Sequence, residues 1–227
     1  MNNICFIPAK GNSQRLPRKN LQTVGGKELV LRAVEGAIES NCFKKIIVSS
    51  DDDEILNLSR AAGVTALLRT SELCTEDVKA KDVLKEHLNE DKSYDSVTML
   101  MPTCPLRTGQ HIKEAHDKFN ISSAKTLVSV KEFEFKPSLA MKIESDKLVP
   151  LFSDKFLWHR EDFWPTGYHM NGAVYIADYE YFIEHATFID SQTVPYLMDR
   201  ISSIDIDTPD DLVLAEFYWR IVNKGRK

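Results

Sequence analysis

Residues 4–20 read I-C-F-I-P-A-K-G-N-S-Q-R-L-P-R-K-N. The opening run, Ile4-Cys5-Phe6-Ile7, is apolar and short, as in a buried strand, and Pro8 breaks it. A loop follows with Gly11, Ser13 and four cations, Lys10, Arg15, Arg18 and Lys19, and no acid before Glu28. Glycine lets the backbone approach a ligand, N–H groups point at an anion, and Lys and Arg neutralise it. A basic loop by itself is often only a solvated turn. Strand, glycine and unpaired cations together predict a phosphate site beyond the carboxyl end of a strand in an open α/β sheet. The loop is neither G-x-x-x-x-G-K-[ST] nor G-x-G-x-x-G.

The chain has 227 residues, 43% apolar and 28% charged, which predicts one large globular domain over 1–227. No run approaches the roughly 18 apolar residues that span a membrane. The start, M-N-N-I-C-F, lacks a positive n-region, so a cytoplasmic location is expected. Cys5, Cys42, Cys74 and Cys104 form no C-x-x-C pair and read as free thiols. A net charge of −5 excludes general nucleic-acid binding, so the basic loop suits a small anionic ligand.

Outward from the loop, Gly25-Gly26 marks a turn and residues 28–39 carry helical apolar spacing. Residues 45–49 predict a buried parallel strand. Asp51-Asp52-Asp53 reads as a helix cap rather than a metal site, the helix ending at Gly63. Strands are expected over 64–68, 97–101, 126–130, 173–177 and 203–206. Helices are expected over 80–89, 110–119 and 179–184, with a last one from Pro209. This alternation predicts a mostly parallel, Rossmann-like α/β sheet covered on both faces. From about 131 to 168 the pattern becomes aromatic-rich and strand-like (139–143 and 147–152). That stretch reads as a β-hairpin excursion whose Phe133, Phe135, Phe156, Trp158, Phe163 and Trp164 need a partner surface.

Residues 203–211 hold four carboxylates. Asp205 and Asp207 are two apart on an extended segment and leave by one face. They suit a hard divalent cation shared with substrate phosphates; the alternative, strongest for Asp207, is support of the following cap. Thr208 suits an N-cap, Pro209 the first helical position, and Asp210 and Asp211 the first turn.

Taken in order, these stretches resemble the acylneuraminate cytidylyltransferases (CMP-sialic acid synthetases and relatives). Residues 7–20 are similar to I-P-A-R-x-G-S-K-x-x-P-x-K-N, and Val48-Ser49-Ser50-Asp51-Asp52 to V-S-T-D-D. Leu68-Arg69 is similar to L-R-P, and Pro102-Thr103-Cys104-Pro105-Leu106-Arg107 to P-T-S-P-L-R. Asn171-Gly172-Ala173-Val174-Tyr175-Ile176 is similar to N-G-A-I-Y-I, and Asp205-Ile206-Asp207-Thr208 to D-I-D-T. The resemblance implies a nucleotide-diphospho-sugar transferase fold. It also implies transfer of CMP from CTP to a nine-carbon 2-keto acid sugar. It assigns the nucleotide to Ala9, Lys10, Gly11, Asn12, Ser13, Arg15, Lys19, Asn20 and Arg69, and catalysis to Lys19, Asp205 and Asp207. Mg²⁺, with Mn²⁺ as the other candidate, would sit on Asp205 and Asp207. Met101, Arg160, Asn171 and Tyr175 would face the sugar, Arg160 on its carboxylate. The excursion would form a homodimer contact.

Three departures bear on substrate. Lys10 replaces Arg and loses a planar fork, while Gln14 replaces Lys with Arg15 returning the charge next door. Met101 stands where many sialic acid enzymes carry Gln, which points to sugar substituents other than those of N-acetylneuraminate. Two alternatives follow: a cytidylyltransferase for the eight-carbon acid Kdo, and a catalytically silent CTP-binding module.

Overall fold

The computed structural model describes residues 2–75, 77–88, 94–153 and 166–224. Strand β1 (Asn3–Pro8) lies inside a seven-stranded sheet. Its alternate side chains feed two apolar clusters: Cys5 and Ile7 join one, Ile4 and Phe6 the other. Both faces are buried, which is why the strand reads as a continuous apolar run. After the loop, β2 (Thr23–Val24) and β3 (Lys27–Glu28) make a small hairpin around Gly25-Gly26. The chain then alternates α1 (Leu29–Ser40), β4 (Lys45–Ser50), α2 (Asp53–Ala61), β5 (Thr65–Leu68), α3 (Ala80–Leu88), β6 (Ser96–Met99), α4 (Gly109–Ile121) and β7 (Thr126–Glu132). A separate hairpin, β8 (Met141–Glu144) and β9 (Lys147–Pro150), precedes β10 (Tyr168–Asp178), α5 (Tyr179–His185), β11 (Val194–Leu197) and α6 (Pro209–Asn223).

The sheet order is β11-β7-β10-β6-β1-β4-β5. β10 runs antiparallel to both neighbours, whereas the other pairings are parallel. Helices α1, α2 and α4 cover one face and α3 and α5 the other. A third cluster joins α6 to the loop through Leu16, Val24, Leu29, Leu106, Ile204, Ile206 and Ala215. β1 pairs with β4 on one side and β6 on the other, so the chain reverses direction across the sheet there. The crevice at its carboxyl end is the ligand site such folds offer.

One expectation is corrected and one strand is added. Residues 203–206 are not a sheet strand; they run as an irregular segment held by the Ile206 N–H donating to the Thr103 carbonyl at 2.9 Å. The last sheet strand is instead β11, which pairs with β7 alone at the sheet edge. Pro195 hid it, because proline demotes a run to an edge position. The excursion does contain a hairpin, turning at Ser145 and Asp146, both with positive φ. Phe156, Trp158, Arg160, Phe163 and Trp164 lie outside the described residues.

Candidate active site

The loop after β1 is shaped by its own chain and by α2. The Gly11 N–H donates to Asp51 at 2.7 Å, and a Cβ at Gly11 would lie 2.7 Å from the Cβ of Asp52. Only glycine fits there without moving the loop. The Asp52 carboxylate accepts the Glu54 and Ile55 N–H groups and caps α2, the role its sequence suggests. Asn20 is buried, and its side-chain amide donates to the Lys10 carbonyl at 2.7 Å. It therefore braces the loop.

The loop's cations part company. Arg18, in a left-handed conformation, pairs with Glu54 on α2. Lys19 and Arg15 instead converge on one acceptor, the Oδ1 atom of Asp207, at 2.9 and 3.0 Å. Residues separated by nearly the whole chain thus meet in one cleft. Thr208 and Asp211 form a reciprocal capping box at the start of α6, and Asp211 also accepts the Asp207 N–H at 3.1 Å. Cap and carboxylate are one unit: the helix start holds the Asp207 backbone in place.

Asp205 stands beside them. The residue is exposed, but its carboxylate lies close to Gly172 and Thr103. Burial raises its pKa, the neighbouring charges of Asp207 and Asp211 raise it further, and the Thr103 hydroxyl and Lys19 oppose. Such mutually repelling carboxylates gain from a hard cation. Mg²⁺ typically takes one or two carboxylates plus phosphates and waters, so Asp205 and Asp207 fit it. Among the described residues no group of three or more His, Cys, Asp or Glu side chains forms a self-sufficient metal cage.

The opposite wall is the Asn171-Gly172 irregularity in β10, where the register with β7 shifts between Met170 and Tyr175. Gly172 has φ +76°, and a Cβ there would meet the Cys104 sulfur at 3.3 Å and Asp205 at 3.6 Å. Asn171, assigned to the sugar by resemblance, is engaged within the protein here. Its side chain is buried, accepting from Ser129 at 2.6 Å and the Ala173 N–H at 3.1 Å and donating to Ser203 at 2.8 Å. It fixes the bulge and ties β10 to the segment carrying Asp205. Tyr175 is half-buried and packs on Phe188. Burial, then Cys104 and Asp205, push its pKa up to about 12, so it remains a phenol donor. Met101 packs partly into the second cluster, and its carbonyl accepts from Arg107 at 3.0 Å. Arg107 is buried and also donates to the Ala173 carbonyl at 2.8 Å, with desolvation lowering its pKa. It joins the 102–107 loop to β10.

Arg69, at the end of β5, is buried and turned onto Ser49, with Nη2 3.2 Å from the Ser49 carbonyl; burial lowers its pKa, and Cys74 and Asp51 act against that. Lys10, Gly11 and Ser13 are half-buried and Asn12 is exposed, all on the same loop. Arg160 lies outside the described residues. Sequence reading missed Thr103, which bonds Asp205, and Asp51, which holds Gly11. Thr103 sits inside the Pro102–Arg107 motif, so the signal was present without its role. A hollow of about 480 Å³, walled by Arg32, Glu39, His111 and Trp219, reaches Leu106 and Arg107 of that motif but none of Arg15, Lys19, Asp205 and Asp207. A triphosphate cleft is polar and open, so chemistry rather than enclosure locates the site.

A doubly covered α/β sheet with cations and carboxylates joined at the carboxyl end of its first strand defines a nucleotide-binding transferase class. The chain belongs to the cytidylyltransferase family, whose model matches residues 4–207. It is 36% identical to the CMP-N,N'-diacetyllegionaminic acid synthase of Legionella pneumophila, over 94% of both chains. It is 33% identical to the N-acylneuraminate cytidylyltransferase of Streptococcus agalactiae over 94% of this chain, but spans about half, 52%, of that relative's length. It is 29% identical to the pseudaminic acid cytidylyltransferase of Campylobacter jejuni over 97% of each. Among solved structures, a CMP:2-keto-3-deoxy-manno-octonic acid synthetase complexed with CTP superposes with TM-score 0.70 over 99% of this chain and all of its own, at 16% identity. That similarity bears on the fold.

Proposed function

We propose that this chain transfers CMP from CTP to the anomeric hydroxyl of a sialic-acid-like nonulosonic acid. The hydroxyl oxygen bonds the α-phosphorus, the bond to the β-phosphate breaks, pyrophosphate leaves, and the hydroxyl proton is lost. The observation that carries this is the convergence of Lys19 and Arg15 on Asp207. In the free enzyme the carboxylate holds both cations at the cleft. A triphosphate entering there would take over the cations; Asp205 and Asp207 are the residues that would hold Mg²⁺ or Mn²⁺, which would supply charge neutralisation when bound. Lys10, Lys19 and Arg15 then face charge that builds on the departing pyrophosphate.

The relatives' names support a nonulosonic acid: N-acylneuraminate, legionaminic and pseudaminic acids recur among them. Kdo is favoured only by a fold-level likeness. Met101 adds apolar surface where the sugar would sit, in keeping with a sugar other than N-acetylneuraminate. The β8–β9 hairpin supports a homodimer, since Ile143, Leu148 and Phe152 stand exposed on or beside it. Among the described residues no helix is long and apolar enough to cross a membrane, and dependence on CTP fits the cytoplasm.

The test is pyrophosphate release from CTP and Mg²⁺ with N-acetylneuraminic, legionaminic, pseudaminic and Kdo acids in parallel. Release with a nine-carbon acid is expected. Release with Kdo alone would move the substrate to the eight-carbon class. Silence across the panel, with CTP still bound, would leave only a binding module.

A further inference from the structure

Helix α6 carries a second apolar face that the fold does not use. Its inward side, with Leu212, Ala215 and Trp219, packs on the third cluster. Its outward side exposes Val213 (70%), Leu214, Phe217 (55%) and Ile221. Spacings of three and four put these on one stripe, over the same turns as the exposed Asp210 and Lys224. Four large apolar side chains on one helical stripe is more than a scatter of single surface residues.

The stripe reads symmetrically about Phe217. Asp210 and Lys224 are equidistant from it, and so are Val213 and Ile221, and Leu214 and Arg220. Laid antiparallel on itself, the helix sets Phe217 against Phe217, Val213 against Ile221, and the acidic end against the basic end. Antiparallel helices also oppose their macrodipoles favourably. This is the self-complementarity that a two-fold contact requires, where one residue meets another and is met by it in return. A membrane surface suits the stripe less, because interfacial helices flank their apolar face with Lys and Arg, whereas here Asp210 and Glu216 share the flanks.

We propose that the outer face of α6 pairs with the same face of a second copy, antiparallel, about a two-fold axis at Phe217. One helix pair is at the small end of protein interfaces, so the contact is concentration-dependent rather than permanent. It is separate from the β8–β9 surface and independent of the enzymatic reading. If both surfaces pair, the assembly is a dimer of dimers.

Cysteine placement tests the axis. Under mild oxidation Phe217→Cys should cross-link to its own copy rapidly. Val213→Cys and Val222→Cys should cross-link no faster than the parent, whose four native cysteines set the background. Charge exchange tests the direction by sedimentation across a concentration series. Asp210→Lys and Lys224→Asp should each weaken association several-fold, and the double variant should restore it. Both positions are exposed, so folding is not at stake. Cross-linking at 217 no faster than at 222, a parent that shows no association attributable to this face, or a double variant weaker than either single one would overturn the proposal.

Discussion

Replacing Lys19 by Met removes one ammonium from the cleft and little else. The ammonium sits 2.9 Å from Asp207, with only 16% of the side chain exposed, and the same oxygen keeps Arg15 at 3.0 Å. Asp207 is therefore not stranded, and the loss of one partly solvated ion pair costs at most about 1 kcal/mol of stability, or roughly 2–4 °C in Tm. Catalysis should suffer more. A charge-assisted hydrogen bond from an enclosed ammonium to a phosphate oxygen is worth about 1.5–3 kcal/mol. At about 1.4 kcal/mol per tenfold, Lys19→Met should lower kcat/KM for CTP by about 10- to 150-fold. Steady-state pyrophosphate release, paired with a thermal melt, separates the two effects. A variant within about twofold of the parent in kcat/KM, with Tm intact, would refute the assignment of Lys19 to the triphosphate.

Gly11→Ala should disturb the loop without unfolding the sheet, because the new Cβ must push Asp52 from 2.7 Å; displacement by about an ångström predicts a roughly 10- to 100-fold fall in kcat/KM with Tm within a few degrees. Arg107→Met should be a stability variant instead. It leaves the Met101 and Ala173 carbonyls without their buried donor, at about 1–3 kcal/mol each, readable as a lowered urea midpoint. His116 gives a pH signature. Burial lowers its pKa from 6.5 to about 4, with Nε2 near Thr98 and Nδ1 unpartnered. The unfolded chain binds a proton there before the folded one does, so its contribution to stability is complete above pH 6.5 and falls as pH drops toward 4. The linkage amounts to about 3 kcal/mol, and a His116→Gln variant should show a flatter Tm-against-pH curve across that window.

What could be read from the sequence was what depends on neighbours along the chain. The β1 run, the Asp52 cap and the Thr208-Pro209-Asp211 start of α6 are set within a few residues, and each stands where its pattern placed it. The pairing of Lys19 with Asp207 was legible only as chemistry, cations at one end seeking carboxylates at the other; topology supplied the meeting. Asn171 shows the opposite case. Its partners Ser129 and Ser203 lie far off in sequence, so the bonds that tie its amide into the sheet could not be read from the motif. Arg18 likewise looked like a phosphate cation until the fold brought Glu54 beside it. Strand β11 was lost because Pro195 breaks its pattern, although an edge strand tolerates proline. Asp205 and Asp207 are carried by an irregular segment rather than a strand, with Ile204 and Ile206 buried beside them.

The most direct test of the cleft is the Mg²⁺ dependence of CTP affinity, measured by titration calorimetry in the parent and in the Asp205→Asn/Asp207→Asn double variant. In the parent, Mg²⁺ should tighten CTP binding markedly. In the double variant that gain should vanish, while the metal-free affinity, carried by Lys19, Arg15 and the loop, is kept or improved. Equal Mg²⁺ enhancement in both proteins would contradict the account, because the cation would then be held without the two carboxylates on which the site is built.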